Sequence, residues 1–139
     1  MTDYDIEFFF DPVCPFAWIT SRWVEEVAAQ REFNIDWRFI SLRLINKDKD
    51  YATEFPPGYE HGHTAGLRML RVADAVRERE GADALDPLYA AFGAHIWERP
   101  LGDDAEAYRL SLGTAPLMRR ILADAGLDEA HAAALEDAS

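Results

Sequence analysis

The chain's single cysteine lies where a thiol becomes reactive. Residues 8–10 are an apolar run, a turn follows at residues 11–13, and Cys14 precedes Pro15 at the start of a helical pattern. A helix N-terminus presents unpaired N–H groups and the positive end of the helix dipole, so it favours a thiolate. Pro15 suits the first helical position, because its missing N–H costs nothing there. The alternative is a buried cysteine that acts only as a small apolar side chain. The strand–turn–helix context favours a nucleophile.

Composition bounds the class of protein. A chain of 139 residues, 49% hydrophobic and 12% aromatic, has room for one packed domain, or for one domain and a fragment of another. Its formal net charge of −12 disfavours nucleic acid and anionic membrane surfaces as partners. One cysteine excludes an internal disulfide, and the acidic N-terminus is followed by too short an apolar run for a signal peptide or a membrane span. We therefore expect a cytoplasmic, reducing location.

The first third of the chain predicts a strand, a helix and a second strand. Residues 5–10 are typical of a strand buried on both faces, and residues 34–42 of a second strand. Residues 15–30 predict a helix between them. The predicted core stripe of that helix is Phe16, Ile19, Trp23 and Val27, with Val24 beside it. On the second strand the predicted core face is Ile35, Trp37 and Phe39, with Ser41 as a further candidate. A crossover of this length predicts a βαβ unit with parallel strands.

The remainder predicts helices. A charged loop at residues 46–50 and a proline break at residues 55–59 come first. The predicted helices are residues 63–80, closed by Gly81; a helix capped by Asp86 with Pro87 in its first position, stopping before Pro100; residues 114–124, closed by Gly126; and a last Ala-rich helix capped by Asp128.

The residues around Cys14 resemble a known group of proteins. Residues 9–23, FFDPVCPFAWITSRW, resemble the DsbA-like branch of the thioredoxin superfamily, in particular the actinobacterial group that includes the mycothiol-dependent nitroreductases. Kappa-class glutathione transferases and 2-hydroxychromene-2-carboxylate isomerases are similar but more distant, with serine where Cys14 stands. The likeness continues at residues 41–42, Asn46 and residues 85–89. It implies an α/β, thioredoxin-like fold. Residues 1–45 would be the N-terminal βαβ half, and residues 46–139 a loop and an inserted helical domain that is incomplete at its C-terminus.

Ala17 separates this chain from the dithiol members of the group. The redox motif of such proteins is often Cys-Pro-x-Cys, and here Ala17 takes the fourth position, so no resolving thiol exists. The resemblance implies a monothiol cycle. In it Cys14 is the catalytic nucleophile, mycothiol or glutathione is the co-substrate, and that small thiol resolves the mixed disulfide.

The resemblance also implies missing parts. The group's later antiparallel strands and its cis-proline loop have no counterpart in this sequence. The segment at residues 113–116, Gly-Thr-Ala-Pro, is superficially similar to that loop but predicts the start of a helix. Two strands alone do not make a stable sheet. We therefore expect that these 139 residues are not a stable monomer, and that a further segment or a second copy, as a homodimer, completes the sheet.

Five residues near the cysteine or in the loops are candidate substrate contacts. Pro15 and Phe16 follow Cys14 directly. Trp18 points away from the predicted core stripe of its helix, so it could lie beside the thiol as a flat wall for an aromatic substrate. Packing of Trp18 beneath the helices is the alternative. By resemblance Asn46 and Tyr59 overhang the cysteine and could hydrogen-bond a substrate or cofactor. Solvated turn residues are the alternative.

A predicted helix after residue 86 supplies two more candidate substrate contacts. His95 and Trp97 could line the same cleft, although a hydrogen-bonded, partly buried His95 is the commoner case. The segment at residues 60–63, Glu-His-Gly-His, lacks a second cluster of ligands at structural spacing, so we predict no metal site.

The sequence leaves three candidate functions to be tested. The leading one is a thiol-dependent oxidoreductase that acts on a small aromatic or disulfide substrate through Cys14. The second is a reaction like that of the kappa glutathione transferases or the isomerases, in which Cys14 activates a bound thiol without forming a disulfide. The third is a catalytically silent fragment that acts as a dimer or interaction module.

Overall fold

Two parallel strands and seven α-helices make up the described part of the computed structural model, residues 3–99 and 105–137. In chain order they are β1 (Ile6–Phe10), α1 (Pro15–Arg31), β2 (Ile35–Phe39), α2 (Leu42–Ile45), α3 (Tyr51–Glu54), α4 (Tyr59–Glu80), α5 (Leu85–Ile96), α6 (Ala105–Ser111) and α7 (Ala115–Asp124). Two 3₁₀ helices, Ala82–Ala84 and Glu129–Glu136, complete the set.

The sheet confirms the predicted βαβ unit. Strands β1 and β2 pair in parallel, with Ile6 opposite Ile35 and Phe10 opposite Phe39. Helix α1 connects them, and helices follow from α2 onward. This α/β architecture is compatible with a thioredoxin-like βαβ unit followed by an inserted helical domain. Side chains from both parts of the chain share one apolar core.

Only one face of the sheet is covered by the described helices, so the prediction that β1 is buried on both faces was wrong. Phe10 is fully buried and Trp37 nearly so. On the opposite face Phe9 is 48% exposed, and Glu7 forms an ion pair with Arg38. The predicted core face of β2 was right in its strand residues. The continuous apolar sequence of β1 suggested burial on both faces, but Phe9 lies on the face that the described helices leave open.

Helix α1 buries a different stripe from the one predicted. Its buried residues are Trp18, Ser21, Val24 and Ala28. The predicted stripe is largely in solvent, since Phe16 is 78% exposed and Ile19 and Trp23 are each 67% exposed. Large apolar side chains occupy several faces of this helix, so periodicity alone could not identify the buried one.

A notch in the surface of α5, at Gly93, determines which face of α1 is buried. A Cβ added to Gly93 would lie 2.1 Å from the Trp18 ring, so the indole fills the space that a side chain would need. The ring also meets Tyr89 edge to face, with centroids 5.4 Å apart. The fit of Trp18 against α5 therefore rotates α1 away from its predicted orientation.

The helix ends were predicted better than the helix starts. Gly81 and Gly126 follow α4 and α7 with φ of +89° and +74°. Helix α4 begins at Tyr59, four residues before the predicted start. Asp128 caps the last segment by accepting a hydrogen bond from the Ala130 N–H at 2.9 Å, and that segment is a 3₁₀ helix.

Two further boundaries differ from the prediction. Asp86 does not cap α5, because a preceding 3₁₀ turn carries the chain into the helix and Ala84 occupies the cap position. Strand β2 ends at Phe39, before the predicted Leu42, because Ser41 turns the chain into α2. The Ser41 hydroxyl accepts a hydrogen bond from the Leu44 N–H at 3.2 Å.

Candidate active site around Cys14

Cys14 is the N-cap residue of α1, as predicted, and its side chain makes no capping hydrogen bond. Its carbonyl oxygen accepts from the Trp18 N–H at 3.2 Å, and its own N–H donates to the Asp11 carbonyl at 3.0 Å. The thiol is partly exposed. Because the backbone is held on both sides and the sulfur has no capping role, the thiol is available for chemistry at the positive end of the helix dipole.

The Asp11 carboxylate holds the turn that carries Cys14. One of its oxygens accepts from the Val13 N–H at 3.0 Å, and the other accepts from the Leu42 N–H at 2.8 Å. Asp11 is 1% exposed, and this burial raises its pKa, while the two N–H donors act in the opposite direction. Sequence reasoning did not select Asp11. The available signal was a turn-forming aspartate between an apolar strand and the cysteine.

Helix α4 packs its backbone directly against this turn. A Cβ added to Gly66 would lie 2.5 Å from an Asp11 carboxylate oxygen and 2.7 Å from the Val13 side chain. Glycine is therefore required for α4 to approach the cysteine turn this closely.

The end of α5 holds the turn from another side. The Trp97 indole N–H donates to the Pro12 carbonyl oxygen at 3.1 Å, and the ring is 38% exposed. Trp97 thus lies against the cysteine turn. Its predicted contact with substrate stays a prediction.

Trp18 joins α1 to the same region but faces inward. Its indole N–H donates to the Glu98 carboxylate at 2.8 Å, and the residue is only 5% exposed. The Arg22 guanidinium stacks on the ring, 4.0 Å from its centroid. This burial favours packing beneath the helices over the alternative of a wall beside the thiol.

Three other predicted contacts lie on or near the turn. Pro15 and Phe16 are exposed beside Cys14 at the start of α1. Asn46 ends α2, and its side-chain N–H donates to the Leu42 carbonyl at 2.9 Å. Asn46 is therefore fixed one turn from the residue that binds Asp11. Substrate contact at these positions stays a prediction.

Tyr59 belongs to an aromatic group that sequence reasoning missed. Tyr51, Phe55 and Tyr59 stack in succession, with centroids 4.7 Å and 5.9 Å apart. His63 lies edge-on to all three rings, at 5.6, 5.7 and 5.8 Å. We call these four residues the aromatic ladder. The signal was their four-residue spacing, which the proline pair at residues 56–57 concealed because it interrupts a helical pattern.

His95 makes its contact away from the cysteine turn. Its Nε2 hydrogen-bonds to the Asp124 carboxylate on α7. A cavity of about 470 Å³ adjoins it, lined also by Glu98, Arg99 and Arg120. The structure thus favours the hydrogen-bonded histidine, and no contact of His95 with Cys14 is seen within the described residues.

Tyr89 is the buried polar residue beneath the site. Its ring stacks on Phe10 at 4.0 Å, it is 1% exposed, and within residues 3–99 and 105–137 no group meets its hydroxyl with good hydrogen-bond geometry. Burial raises the pKa of Tyr89 to about 12, and negative charge on Cys14 and Asp11 acts in the same direction. The tyrosine is therefore a neutral phenol within the electrostatic reach of the thiol.

Residues 3–99 and 105–137 contain neither a metal-binding cluster nor a helix suited to crossing a membrane. No group of three or more His, Cys, Asp or Glu side chains there is placed to hold a metal ion. No helix in these ranges combines the length and the apolar character needed to cross a bilayer.

A thiol at the N-terminus of the helix in a βαβ unit is compatible with a thioredoxin-like fold, and comparison with known proteins identifies the family. Residues 13–139 match the Rv2466c-like family, described as mycothiol-dependent nitroreductase Rv2466c. The chain belongs to this family. The uncharacterized protein Rv2286c of Mycobacterium tuberculosis is 35% identical to it over 137 residues. That alignment covers 95% of this chain and 52% of the relative, so the chain spans about half the length of the curated relative it matches.

Proposed function

We propose that this protein is a thiol-dependent oxidoreductase in which Cys14 is a monothiol nucleophile and mycothiol is the co-substrate. The observation that carries the proposal is the placement of Cys14 as the N-cap residue of α1, with a side chain that makes no capping hydrogen bond, in a turn held by Asp11 and Trp97. The family description adds the identity of the thiol and a nitro compound as the type of electron acceptor.

The chemistry begins with the Cys14 thiolate. When the substrate is a disulfide, the thiolate attacks one sulfur, the substrate S–S bond breaks and one half leaves as a thiolate. A molecule of mycothiol, as its thiolate, then attacks the mixed disulfide and releases Cys14 while the second half departs as a mycothiol disulfide. The N-terminal dipole of α1 stabilises the negative sulfur that is regenerated.

Reduction of an organic electron acceptor needs two electrons from two thiols. The Cys14 thiolate bonds to the acceptor, and a mycothiol thiolate attacks the Cys14 sulfur, so the reduced acceptor leaves with the electron pair and takes its protons from water. The resulting mixed disulfide between Cys14 and mycothiol is broken by a second mycothiol. The products are the reduced acceptor, oxidised mycothiol and the free Cys14 thiolate. No second protein cysteine is needed, which suits Ala17 in the fourth motif position.

The test is the intact mass of the protein after incubation with oxidised mycothiol. We expect one adduct, removed by excess thiol and absent in Cys14→Ser. Ala17→Cys is the matched variant, because a thiol at that position would resolve the adduct internally and the adduct mass would disappear. An enzyme that only activates a bound thiol would give no adduct, and retention of full reductase activity in Cys14→Ser would exclude the monothiol mechanism.

A further inference from the structure

A cavity of about 480 Å³ lies between α2, α4 and the last 3₁₀ helix. Four cationic side chains line it, those of Arg43, Lys47, Arg68 and Arg71, and Glu136 is the only carboxylate among its described lining residues. The whole chain has 14 Lys and Arg residues and a formal net charge of −12, so the cavity concentrates positive charge on an acidic protein. We call this feature the basic cavity.

Two elements bring these cations together. Arg68 and Arg71 are three residues apart on α4, so they are neighbours on the surface of that helix, and Leu67 lies one turn before Arg71 on the same face. Helix α2 packs against α4 and brings Arg43, together with Lys47 in the turn that follows, to the same cavity. The positive charge of the cavity therefore depends on the packing of α2 on α4.

Two of the four cations have structural partners. The Arg68 guanidinium donates to the Leu135 carbonyl oxygen at 3.4 Å and pairs with the Glu136 carboxylate, so it holds the last 3₁₀ helix against α4. The Arg43 guanidinium is 3.7 Å from the Glu60 carboxylate. These two arginines build the wall of the cavity, and carboxylates partly neutralise their charge.

Arg71 and Lys47 have no such partners. Within residues 3–99 and 105–137 neither the Arg71 guanidinium nor the Lys47 ammonium makes a hydrogen bond or an ion pair. Arg71 is partly buried, and its guanidinium carries five N–H donors. Polar groups removed from water are normally met by acceptors, so this pair is the part of the cavity that is open to an anion.

The rest of the lining is mainly apolar. Leu44, which is 55% exposed, Leu67 and Leu135 contribute to it. A small-molecule site typically combines an apolar surface with a few convergent polar groups in a volume of about 300–1,000 Å³. The basic cavity meets this description for a ligand that carries an anionic group beside an apolar one.

We propose that the basic cavity binds a small organic phosphate, with the phosphate of a monoester held by Arg71 and Lys47 and its apolar group against Leu44 and Leu67. A guanidinium can donate to two phosphate oxygens at once, and an ammonium adds a compact positive charge. A phosphate monoester is nearly doubly negative near pH 7, because its second pKa is about 6. The inference goes beyond the proposed function and uses no residue of the cysteine turn.

The charge of the whole chain favours a small ligand over an extended one. A net charge of −12 repels nucleic acid and anionic membrane surfaces, because a large polyanion meets the acidic surface as well as the cavity. A small phosphate ester inside the cavity contacts only the basic side chains and is screened from the rest of the surface.

Isothermal titration calorimetry of the whole protein with phenyl phosphate, at low ionic strength, tests the site. Arg71→Gln should weaken binding by about tenfold, and Lys47→Gln should also weaken it, because each removes a charged donor. Arg71→Lys keeps the charge without the planar fork and should recover part of the loss. Arg68 is left intact, since it holds the last 3₁₀ helix.

The matched controls are Arg79→Gln and Lys49→Gln. Arg79 is exposed near the end of α4, and Lys49 is exposed two residues after Lys47. Each control changes the net charge by the same amount as its test variant, and each should bind phenyl phosphate as the wild type does. Added salt should weaken binding to the wild type more than binding to Arg71→Gln, which has one ion pair fewer to screen.

Two further probes separate the anionic part of the site from the apolar part. Inorganic phosphate should bind more weakly than phenyl phosphate, because it lacks the ring that lies against the leucines. Phenol should not bind measurably. Equal affinity for phenyl phosphate and inorganic phosphate would overturn the apolar contact, and equal affinity for phenyl phosphate and phenol would overturn the anion site.

The inference as a whole is overturned if the wild type does not bind phenyl phosphate, or if Arg71→Gln and Lys47→Gln bind it as the two controls do. A peptide that carries phosphotyrosine provides the last comparison. Tighter binding of that peptide than of phenyl phosphate would reject a small-molecule site in favour of a peptide surface.

Discussion

The Asp11 carboxylate accepts a hydrogen bond from the Leu42 N–H across 2.8 Å, although the two residues lie on opposite sides of the βαβ unit in sequence. The same carboxylate receives the Val13 N–H at 3.0 Å. One buried side chain therefore connects the cysteine turn to the start of α2, from which the chain continues toward the aromatic ladder. The position of Cys14 relative to the helical part depends on this link.

Replacement of Asp11 tests that dependence. Asp11→Ala leaves two partly buried backbone N–H groups without this acceptor, at a cost of up to about 1–3 kcal/mol each in free energy of unfolding. Asp11→Asn keeps one acceptor oxygen and should lose less. Urea denaturation measures both values, and the rate of Cys14 alkylation by iodoacetamide at pH 7 reports the turn itself. We expect the alkylation rate to change in both variants, and an unchanged rate in a folded Asp11→Ala protein would contradict a positioning role.

Gly93 and Gly62 form a matched pair for the packing of α1 on α5. A Cβ at Gly93 would lie 2.1 Å from the Trp18 ring, whereas a Cβ at Gly62 in α4 meets nothing within 4 Å. Gly93→Ala should therefore destabilise the protein by about 1–3 kcal/mol or more, because the indole must leave its place. Gly62→Ala should be stabilising by up to about 1 kcal/mol, because alanine favours the helix. Thermal unfolding of both variants gives the comparison, and equal effects would show that Trp18 is not held by the notch.

The raised pKa of the Glu25 carboxyl should make the free energy of unfolding depend on pH. Burial raises the pKa of Glu25 to about 7 from 4.5, and the neighbouring Asp86 carboxyl acts in the same direction. Between these two values the folded state holds a proton that the unfolded state has released, so the free energy of unfolding falls as pH rises through this window. Glu25→Gln removes the titration and should flatten that part of the curve. The measurement is urea denaturation at pH 5 and pH 8.

Glu26→Gln is the control for this experiment. Glu26 is exposed on the same helix, and its carboxylate contacts Gln30 at 3.0 Å. It should keep the slope of the wild type. A Glu25→Gln curve parallel to that of the wild type would mean that the Glu25 carboxyl is ionised throughout this range.

The sequence predicted the elements that local chemistry decides. The thiol at the start of α1 follows from Pro15 and the preceding turn, and the parallel pairing of the strands follows from the length of the crossover between them. The buried face of α1 could not be predicted, since it depends on a notch at Gly93 that lies 75 residues away from Trp18. The aromatic ladder was missed because the prolines at residues 56–57 break the helix between its rings, while the tertiary fold brings the rings together again.

The exposed stripe of α1 predicts association. Ile19 and Trp23 are each 67% exposed, Phe9 on the open sheet face is 48% exposed, and the described sheet has only two strands. Large apolar side chains in contiguous exposed patches mark interaction surfaces, and unpaired strand edges recruit further strands. We therefore expect protein verified by mass to end at Ser139 to sediment as dimers or larger species.

The double variant Ile19→Ser, Trp23→Ser should shift this equilibrium toward monomer, because it removes the apolar stripe and leaves the buried face of α1 intact. Its matched control is Leu44→Ser, Ile45→Ser, which removes two side chains of comparable exposure, 55% and 58%, from α2. Sedimentation velocity across a range of concentrations compares the three proteins. If α1 is the interface, the control associates as the wild type does and the α1 variant does not. Monomeric wild-type protein with cooperative unfolding would show instead that the helices alone stabilise the two-stranded sheet.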